Sequence, residues 1–376
     1  MTTFLAIIVL VLVAIAIWQM SKIFELSQAH TDNSEVANDK DNKLNGYLMF
    51  GFLAAFYIFM IYGVFKWGPL VLGTPASEHG DDYDFLMTMS MVLIFFVQFL
   101  TQGLLFFFAY KYKGQKGKKA LFYADNDKLE MIWTIIPVIT LAGLILYGLF
   151  TWTTIMDVNS EDEDPMVIEL YAQQFNWKAR YAGQDNTLGE ANVRLIDIAS
   201  SNILGINEAD PNADDDVIAT ELHLPVGKKV LFKMRSQDVI HSAYMPHFRA
   251  QMNCVPGMIT QFSFTPTVTT EEMRADGGIV EKVERINDIR AEKRANGEDA
   301  DPYEFDYLLL CNKICGQSHY NMQMKIIVES EEDFNAWMKE QKTFAASMGK
   351  DDSSNGEMAQ SEVFISDDEA SIIGVN

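Results

Sequence analysis

Four apolar stretches occupy the first part of the chain, separated by polar segments. They are Phe4–Met20, Tyr47–Phe65, Phe85–Tyr110 and Trp133–Thr154. Each approaches the roughly 20 apolar residues that a helix needs to cross a bilayer. The pattern predicts four transmembrane helices in a lipid bilayer. The first stretch lacks the basic start and small-residue cleavage site of a signal peptide, so we expect a retained anchor with its N-terminus outside.

The pattern changes after Val167 to short strands and turns. Val167–Ala172 alternates between apolar and polar residues, and Glu221–Val226 ends in a turn. Many short strands of this kind predict an all-β sandwich. His223 lies between Leu222 and Leu224, and this alternation predicts that its ring faces solvent.

Polar and helical segments interrupt the strands of this soluble part. The acidic runs Ser160–Asp164 and Asp210–Asp216 are typical of solvated loops, with calcium binding as an alternative for the second. A segment at about 268–304 carries a helical apolar pattern and predicts an inserted helix that contacts another subunit or is exposed to solvent.

The C-terminal part begins with a predicted helix. Ser330 is followed three residues later by Asp333, which is a helix-start pattern. Phe334, Trp337 and Met338 then form an apolar stripe. The residues that follow are polar and acidic and predict a disordered tail. The expected organisation is 1–45 anchor and cytoplasmic loop, 46–84 second helix and outer loop, 85–156 transmembrane hairpin, 157–346 sandwich, and 347–376 tail.

Charge gives the expected orientation in the membrane. Lys111–Lys119 is the densest basic cluster and should be cytoplasmic, whereas the acidic stretch Glu78–Asp84 should be outside. Everything after about Asp157 is then periplasmic, which predicts a multi-pass protein of the bacterial inner membrane. The net charge of −23 argues against nucleic acid as a partner. No Cys-x-x-Cys-His motif occurs, so no covalently attached haem c is expected.

The chemistry-bearing residues are concentrated in Cys311–Met322, which contains Cys311, Cys315, His319 and Met322. Thiolate, imidazole and thioether are ligands for copper, zinc or iron–sulfur centres. A disulfide between the two cysteines is the simplest alternative, but it needs neither the histidine nor the methionine. Structural zinc is a second alternative, although Met is a poor zinc ligand.

A binuclear centre is the remaining interpretation, because two thiolates in one loop can bridge two metals. Such a centre needs a further imidazole, and His241 in the segment Ser236–Pro246 is the candidate. A mononuclear blue-copper loop contains only one Cys. His247 has no role that spacing alone assigns.

These two segments resemble the copper domain of cytochrome c oxidase subunit II, whose pattern is Ser-x-Asp-Val-x-His followed by Cys-x-x-x-Cys-x-x-x-His-x-x-Met. The resemblance implies a cupredoxin-like sandwich holding two copper ions, the CuA centre. It implies Cys311 and Cys315 as bridging thiolates and Met322 as a weak ligand. His241 and His319 would be the imidazole ligands, and the backbone carbonyl of Lys313 the sixth donor. Cys254 corresponds to no family ligand.

The same resemblance extends to the last two apolar stretches. Leu129–Pro137 contains the family's Glu-x-x-Trp-Thr-x-x-Pro pattern. In related oxidases the matching glutamate stands at the mouth of a proton-uptake channel, which implies that role for Glu130. An interfacial carboxylate near a helix start is the equally supported alternative. The first two helices lie outside the family's usual hairpin.

The segment Ala172–Tyr181 resembles the family's aromatic Gln-Trp-x-Trp-x-x-x-Tyr stretch. Phe175 occupies the position of the tryptophan that receives the electron from cytochrome c in many relatives, and Trp177 is the second tryptophan. Alternating aromatic residues usually belong to a sandwich core, which is the favoured interpretation for Trp177. For Phe175 we expect an exposed or partner-covered ring near Cys311–Met322, here called the copper loop. The electron donor is then expected to be a c-type cytochrome held persistently in a membrane complex.

A magnesium site is doubtful. Relatives have Glu at the position of Lys313, Asp at that of Asn253 and Arg at that of Met258. A protonated Lys cannot ligate a metal. The family's magnesium site at the junction with subunit I is therefore expected to be absent or rebuilt.

The function implied by the resemblance is that of subunit II of a respiratory haem–copper oxidase. Such a subunit accepts electrons from a c-type cytochrome at its copper centre and passes them to haem in subunit I for oxygen reduction and proton pumping. The expected partners are subunit I, other oxidase subunits and the donor cytochrome. Nitrous oxide reductase, a quinol oxidase subunit and a copper-delivery protein are the rival classes.

Overall fold

Four long helices precede the sandwich. They are α1 (Thr2–Gln28), α2 (Asp39–Trp67), α3 (Gly80–Lys111) and α4 (Asp127–Ile155). The computed structural model describes residues 2–28, 38–119, 121–158, 164–197, 199 and 202–349. All four helices are long and apolar enough to cross a membrane, which confirms the prediction from hydropathy. The chain divides into two compact units, Met1–Pro69 with Met89–Thr140, and Leu70–Thr88 with Leu141–Asn376.

Two five-stranded sheets form the sandwich within the second unit. The strands are β1 (Met166–Gln173), β2 (Asn176–Tyr181), β3 (Val217–Ala219), β4 (Leu222–Pro225), β5 (Val230–Ser236), β6 (His241–Met245), β7 (Ala250–Cys254), β8 (Thr260–Phe264), β9 (Tyr307–Cys311) and β10 (Gln323–Glu329). One sheet has the order β3-β2-β1-β5-β8 and the other β4-β10-β9-β6-β7. Pairing is antiparallel except for β1 with β5 and β4 with β10. The sandwich predicted from the short strands is therefore confirmed.

A continuous apolar core joins the two sheets. It includes Ile168 and Phe232 from the first sheet and Leu309 and Ile326 from the second, all fully buried. β1 is buried at its six central positions, because it lies in the middle of its sheet. Apolar area removed from water on this scale is the main favourable contribution to folding.

The segment between α2 and α3 is attached to the sandwich by main-chain hydrogen bonds. Ala76 N–H donates to the His247 carbonyl at 2.8 Å, and the Ala76 carbonyl accepts from Thr267 N–H at 2.9 Å. The Arg249 guanidinium binds both carboxylate oxygens of Asp84 at 2.7 Å. The loop before α3, the acidic start of α3 and the sandwich therefore lie on the same side of a membrane that α3 spans.

Two helices lie within the predicted insertion. They are α5 (Thr270–Arg274), which begins at a capping box formed by Thr269 and Glu272, and α6 (Gly277–Ala295). Ile279 on α6 is buried in the core, and Val283 packs against it. One face of α6 therefore contributes to the sandwich itself, and its opposite face is exposed.

The C-terminal helix covers the edge strand β4 and overturns the prediction for His223. Helix α7 (Glu331–Glu340) begins at Ser330, whose hydroxyl accepts from Asp333 N–H. The Trp337 indole stacks on the His223 ring with centroids 3.9 Å apart and 9° between planes. His223 Nδ1 also forms a hydrogen bond of 2.8 Å with Glu329 Oε1, and the His223 side chain is buried. The prediction that this ring faces solvent was therefore wrong. The prediction from alternation along β4 failed because α7 covers the face that an edge strand would otherwise expose to solvent.

The second acidic run is also less solvated than predicted. Asp216 is fully buried, where it accepts hydrogen bonds from the Arg180 guanidinium and from Gly189 N–H. Arg180 is likewise buried, and its guanidinium also donates a hydrogen bond to Glu169 Oε2 at 3.1 Å. Buried carboxylates are retained when a cation pairs with them. Residues 160–163 of the first run lie outside the described residues. The tail after residue 349 does so too, and its disorder therefore stays a prediction.

Candidate metal centre

The sheet topology brings the two sequence motifs together. β6, which begins at His241, pairs with β9, which ends at Cys311, and Ala243 lies opposite Cys311. β9 and β10 are antiparallel neighbours, and the loop between them carries the other candidate ligands. Cys311 N–H donates to the Met322 carbonyl at 3.1 Å and closes the base of this loop. Residues far apart in sequence therefore meet at one end of one sheet.

The two thiols lie side by side without forming a disulfide. Their Sγ atoms are 3.9 Å apart, well beyond the roughly 2.05 Å of an S–S bond. Both side chains are buried, and both cysteines are free. The disulfide alternative therefore does not apply to this structure.

The other predicted donors surround the thiols. His241 Nδ1 lies 3.7 Å from Cys311 Sγ, and the Lys313 carbonyl oxygen lies 3.2 Å from the same sulfur. His319 Nδ1 and Met322 Sδ lie 3.6 Å and 3.7 Å from Cys315 Sγ. The structure thus brings all six proposed donors together.

The two imidazoles occupy different parts of the site. Donor atoms of His241, Cys311 and Cys315 all lie within 4.8 Å of one another, whereas His319 does not join this set. Two ligands on one ion, with bonds of about 2.0–2.3 Å, are at most about 4.6 Å apart. Because His319 lies outside this set, one small ion could not bind His241, Cys311, Cys315 and His319 together. The donor set is rich in thiol, thioether and imidazole groups, and this softness fits copper.

Asp238 orients one of the imidazoles. His241 Nε2 lies 2.8 Å from Asp238 Oδ1, which directs Nδ1 toward the thiols. Burial opposes ionisation of Asp238, but hydrogen bonds from Gln174 N–H, His241 and Val239 N–H outweigh it and hold its pKa below the usual range. A carboxylate behind a ligating histidine fixes the ring and its tautomer. Asp238 belongs to the Ser-x-Asp-Val-x-His motif, but its role in orienting His241 was not predicted.

The third cysteine differs from the two in the loop. Cys254 lies opposite His241 across the β6–β7 pair and is fully buried. Burial raises the pKa of its thiol to about 12, so it remains protonated at neutral pH. Burial, together with the neighbouring Cys311, also raises the pKa of Cys315 to about 11 in the absence of metal.

The aromatic candidates occupy two distinct environments. Trp177 is fully buried, with its ring 6.2 Å from that of His241. Phe175 is half-buried and contacts the copper loop at Gly316. Glu130 lies in the first turn of α4, and its side chain is exposed in the isolated chain. Lys313 and Asn253 are exposed, as is Met258.

The fold and site define a membrane-anchored sandwich domain whose loop between β9 and β10 offers soft metal ligands. Comparison with known proteins shows its family. The transmembrane domain of cytochrome c oxidase subunit II matches residues 66–150, and the periplasmic domain of the same subunit matches residues 166–272. The copper loop lies beyond these matched ranges, after the inserted helices.

Individual relatives agree with this family. An alternative cytochrome c oxidase subunit 2 of Bradyrhizobium diazoefficiens is 33% identical over 257 residues, covering 67% of this chain and 78% of the relative. A cytochrome c oxidase subunit 2 of Thermostichus vulcanus is 23% identical, covering 70% of this chain and 75% of the relative. The periplasmic domain of subunit II of cytochrome oxidase of Bradyrhizobium japonicum aligns with a TM-score of 0.27 and 15% identity, over 46% of this chain and 91% of that domain.

This chain belongs to the cytochrome c oxidase subunit II family. It combines transmembrane helices with a cupredoxin-like sandwich, and the family implies a copper centre. Its place is in an oxidase complex, in which the catalytic activity is carried by another subunit.

Proposed function

We propose that this chain accepts electrons for a respiratory haem–copper oxidase at a binuclear copper centre. The observation that supports the proposal is the arrangement of Cys311 and Cys315 between two separate imidazoles. A copper pair held there would supply one-electron redox chemistry, with a reduced c-type cytochrome as the source of the electron. We expect the electron to continue to haem in subunit I, where oxygen is reduced to water with proton pumping.

The residues of this chain would hold that centre in a fixed geometry. Cys311 and Cys315 would hold the copper through their thiolates and His241 and His319 through their imidazoles, with Met322 and the Lys313 carbonyl completing the donor set. Asp238 keeps His241 oriented through the 2.8 Å hydrogen bond to its Nε2. Ligands held by packing and by such hydrogen bonds change position little between oxidation states, which favours fast electron transfer.

The aromatic stretch would receive the electron. The half-buried Phe175 contacts the copper loop and offers a surface for a donor, whereas the buried Trp177 packs beside His241 inside the sandwich. Since Phe has no indole N–H, contact with the donor would be apolar. We propose a c-type cytochrome that is held persistently in a membrane complex.

Two further roles follow from the same assignment. Glu130, in the first turn of α4, would stand at the mouth of a proton-uptake channel of subunit I. The family's magnesium site would be absent or rebuilt, because Lys313 replaces a ligating Glu and its protonated ammonium group offers no lone pair. The protein would lie in a bacterial inner membrane with the sandwich in the periplasm, as the basic cluster at Lys111–Lys119 favours.

Metal analysis of the purified protein tests the proposal. We expect two copper ions per chain and a mixed-valence state in which one unpaired electron is shared by two copper nuclei. A four-line electron paramagnetic resonance (EPR) spectrum from one copper, or a site filled by zinc, would refute the binuclear centre. A chain that binds no copper would favour the quinol oxidase class instead.

A further inference from the structure

The turn between β1 and β2 lies directly on the copper loop. Gln174, in this turn, donates from its side-chain Nε2 to the Cys315 carbonyl oxygen. Its main-chain N–H donates to Asp238 Oδ2 at 2.8 Å. One residue therefore connects the loop that carries Cys315 with the carboxylate that orients His241.

Gly316 makes this close approach possible. A Cβ at this position would lie 2.8 Å from Phe175 Cζ and 2.9 Å from Gln174 Nε2. Real Cβ atoms are not found this close to other atoms, and Gly316 also has a φ of +146°, which side chains rarely adopt. The absence of a side chain thus lets both the Phe175 ring and the Gln174 amide contact the loop next to Cys315.

We propose that Gln174 is a positioning residue for electron transfer into the copper centre. Its amide fixes the Phe175 turn against the Cys315 main chain, and its N–H holds Asp238 behind His241. The proposal rests on the copper centre proposed above. The step it serves moves one electron from the reduced donor haem to the oxidised copper pair, with no bond formed or broken. Small displacements of such contacts have large effects on rate.

This role differs from that of a ligand or a purely structural residue. Gln174 binds no metal, so its replacement should leave the donor set complete. It acts on the side of the site that faces Phe175, so it should control electrons that arrive and not those that leave for subunit I. The rates of these two steps therefore distinguish positioning from a general loosening of the site.

Gln174→Met and Gln174→Glu in the whole oxidase test the proposal. Both variants keep the side-chain length and remove the donating amide, since a glutamate is ionised at neutral pH. Gln173→Met is the matched control, because Gln173 is the same residue type, directly precedes Gln174 and is the last residue of β1. Copper content and the EPR spectrum are recorded first. Flash photolysis in native membranes then measures reduction of the copper centre by the endogenous c-type haem and its oxidation by the haem of subunit I.

We expect both Gln174 variants to retain two coppers and to slow reduction of the centre about tenfold or more, with its oxidation unchanged. Gln173→Met should leave both rates unchanged. Phe175→Ala should add little to Gln174→Met, because both changes disrupt one contact. Equal slowing of both steps, loss of copper, or less than about a twofold effect would overturn the positioning role. If the wild-type chain holds no copper pair, the proposed function itself fails.

Discussion

The Sγ atoms of Cys311, at the end of β9, and Cys315, in the loop that follows, lie 3.9 Å apart. One imidazole lies beside each sulfur, with His241 Nδ1 3.7 Å from Cys311 Sγ and His319 Nδ1 3.6 Å from Cys315 Sγ. Cys254 is buried nearby, yet it corresponds to no proposed ligand. The three cysteines therefore have separable roles.

Replacement of single cysteines tests this separation. Cys311→Ser or Cys315→Ser should abolish the purple mixed-valence form, because a bridging thiolate is lost. Cys254→Ser should preserve the two-copper spectrum, although the free energy of unfolding should fall slightly because a hydroxyl replaces a buried thiol. Copper content and the EPR spectrum of the three variants provide the measurement. A spectrum lost in Cys254→Ser, with the protein still folded, would contradict the ligand set.

The affinity for copper should rise with pH. Burial and the nearby Cys311 raise the pKa of Cys315 to about 11, so this thiol is protonated in the metal-free site at neutral pH. Binding must release that proton, which gives an increase of about tenfold in affinity for each pH unit per proton released. Competition titrations at pH 6, 7 and 8, corrected for protonation of the chelator, measure the slope. A pH-independent affinity would argue against thiolate ligation.

Salt should have little effect on electron transfer from the native donor. A donor held persistently in a membrane complex needs no electrostatic steering, whereas a steered encounter slows steeply as ionic strength rises. We expect less than about a tenfold decrease in donor oxidation between low and physiological salt. Steady-state oxidation in native membranes is the measurement, with an added soluble cytochrome c as the salt-sensitive comparison. A larger decrease for the native donor would exclude persistent docking.

The orientation in the membrane should follow the basic cluster. A reporter fused after Lys119 should be active only in the cytoplasm, and one fused after Glu329 only outside. The main-chain hydrogen bonds of Ala76 with His247 and Thr267 place the loop before α3 on the side of the sandwich, so a third fusion after Gly73 should report the outside as well. Cytoplasmic activity of the Glu329 fusion would reverse the proposed topology.

Trp337 should anchor the C-terminal helix to the sandwich. Its indole stacks on His223 and contacts Tyr181 with ring centroids 5.3 Å apart. Trp337→Ala should lower the free energy of unfolding of a periplasmic fragment by about 2 kcal/mol, less than for a fully buried tryptophan. Lys339→Ala, at an exposed position of the same helix, is the control and should change it by less than about 0.5 kcal/mol. Chemical denaturation measures both, and equal effects would show that the stacking contributes nothing.

Much of the architecture could be predicted from the sequence because it depends on local periodicity. Apolar runs of membrane length predicted the four long helices, which the structure contains. The short strands and turns after Val167 predicted an all-β sandwich, which the two sheets confirm. The ligand residues were identified from spacing within two short motifs, since a metal loop needs its donors at fixed separations.

The contacts between distant segments depended on tertiary structure alone. No local pattern indicates that α7 covers His223, or that Asp216 is buried beside Arg180, because burial there is decided by which elements pack together. The same holds for Gln174 and Cys315, which are separated by 141 residues and meet only when the two sheets close on each other. The sequence by itself determined which donors are available, and the packing of the sandwich decided how they are held.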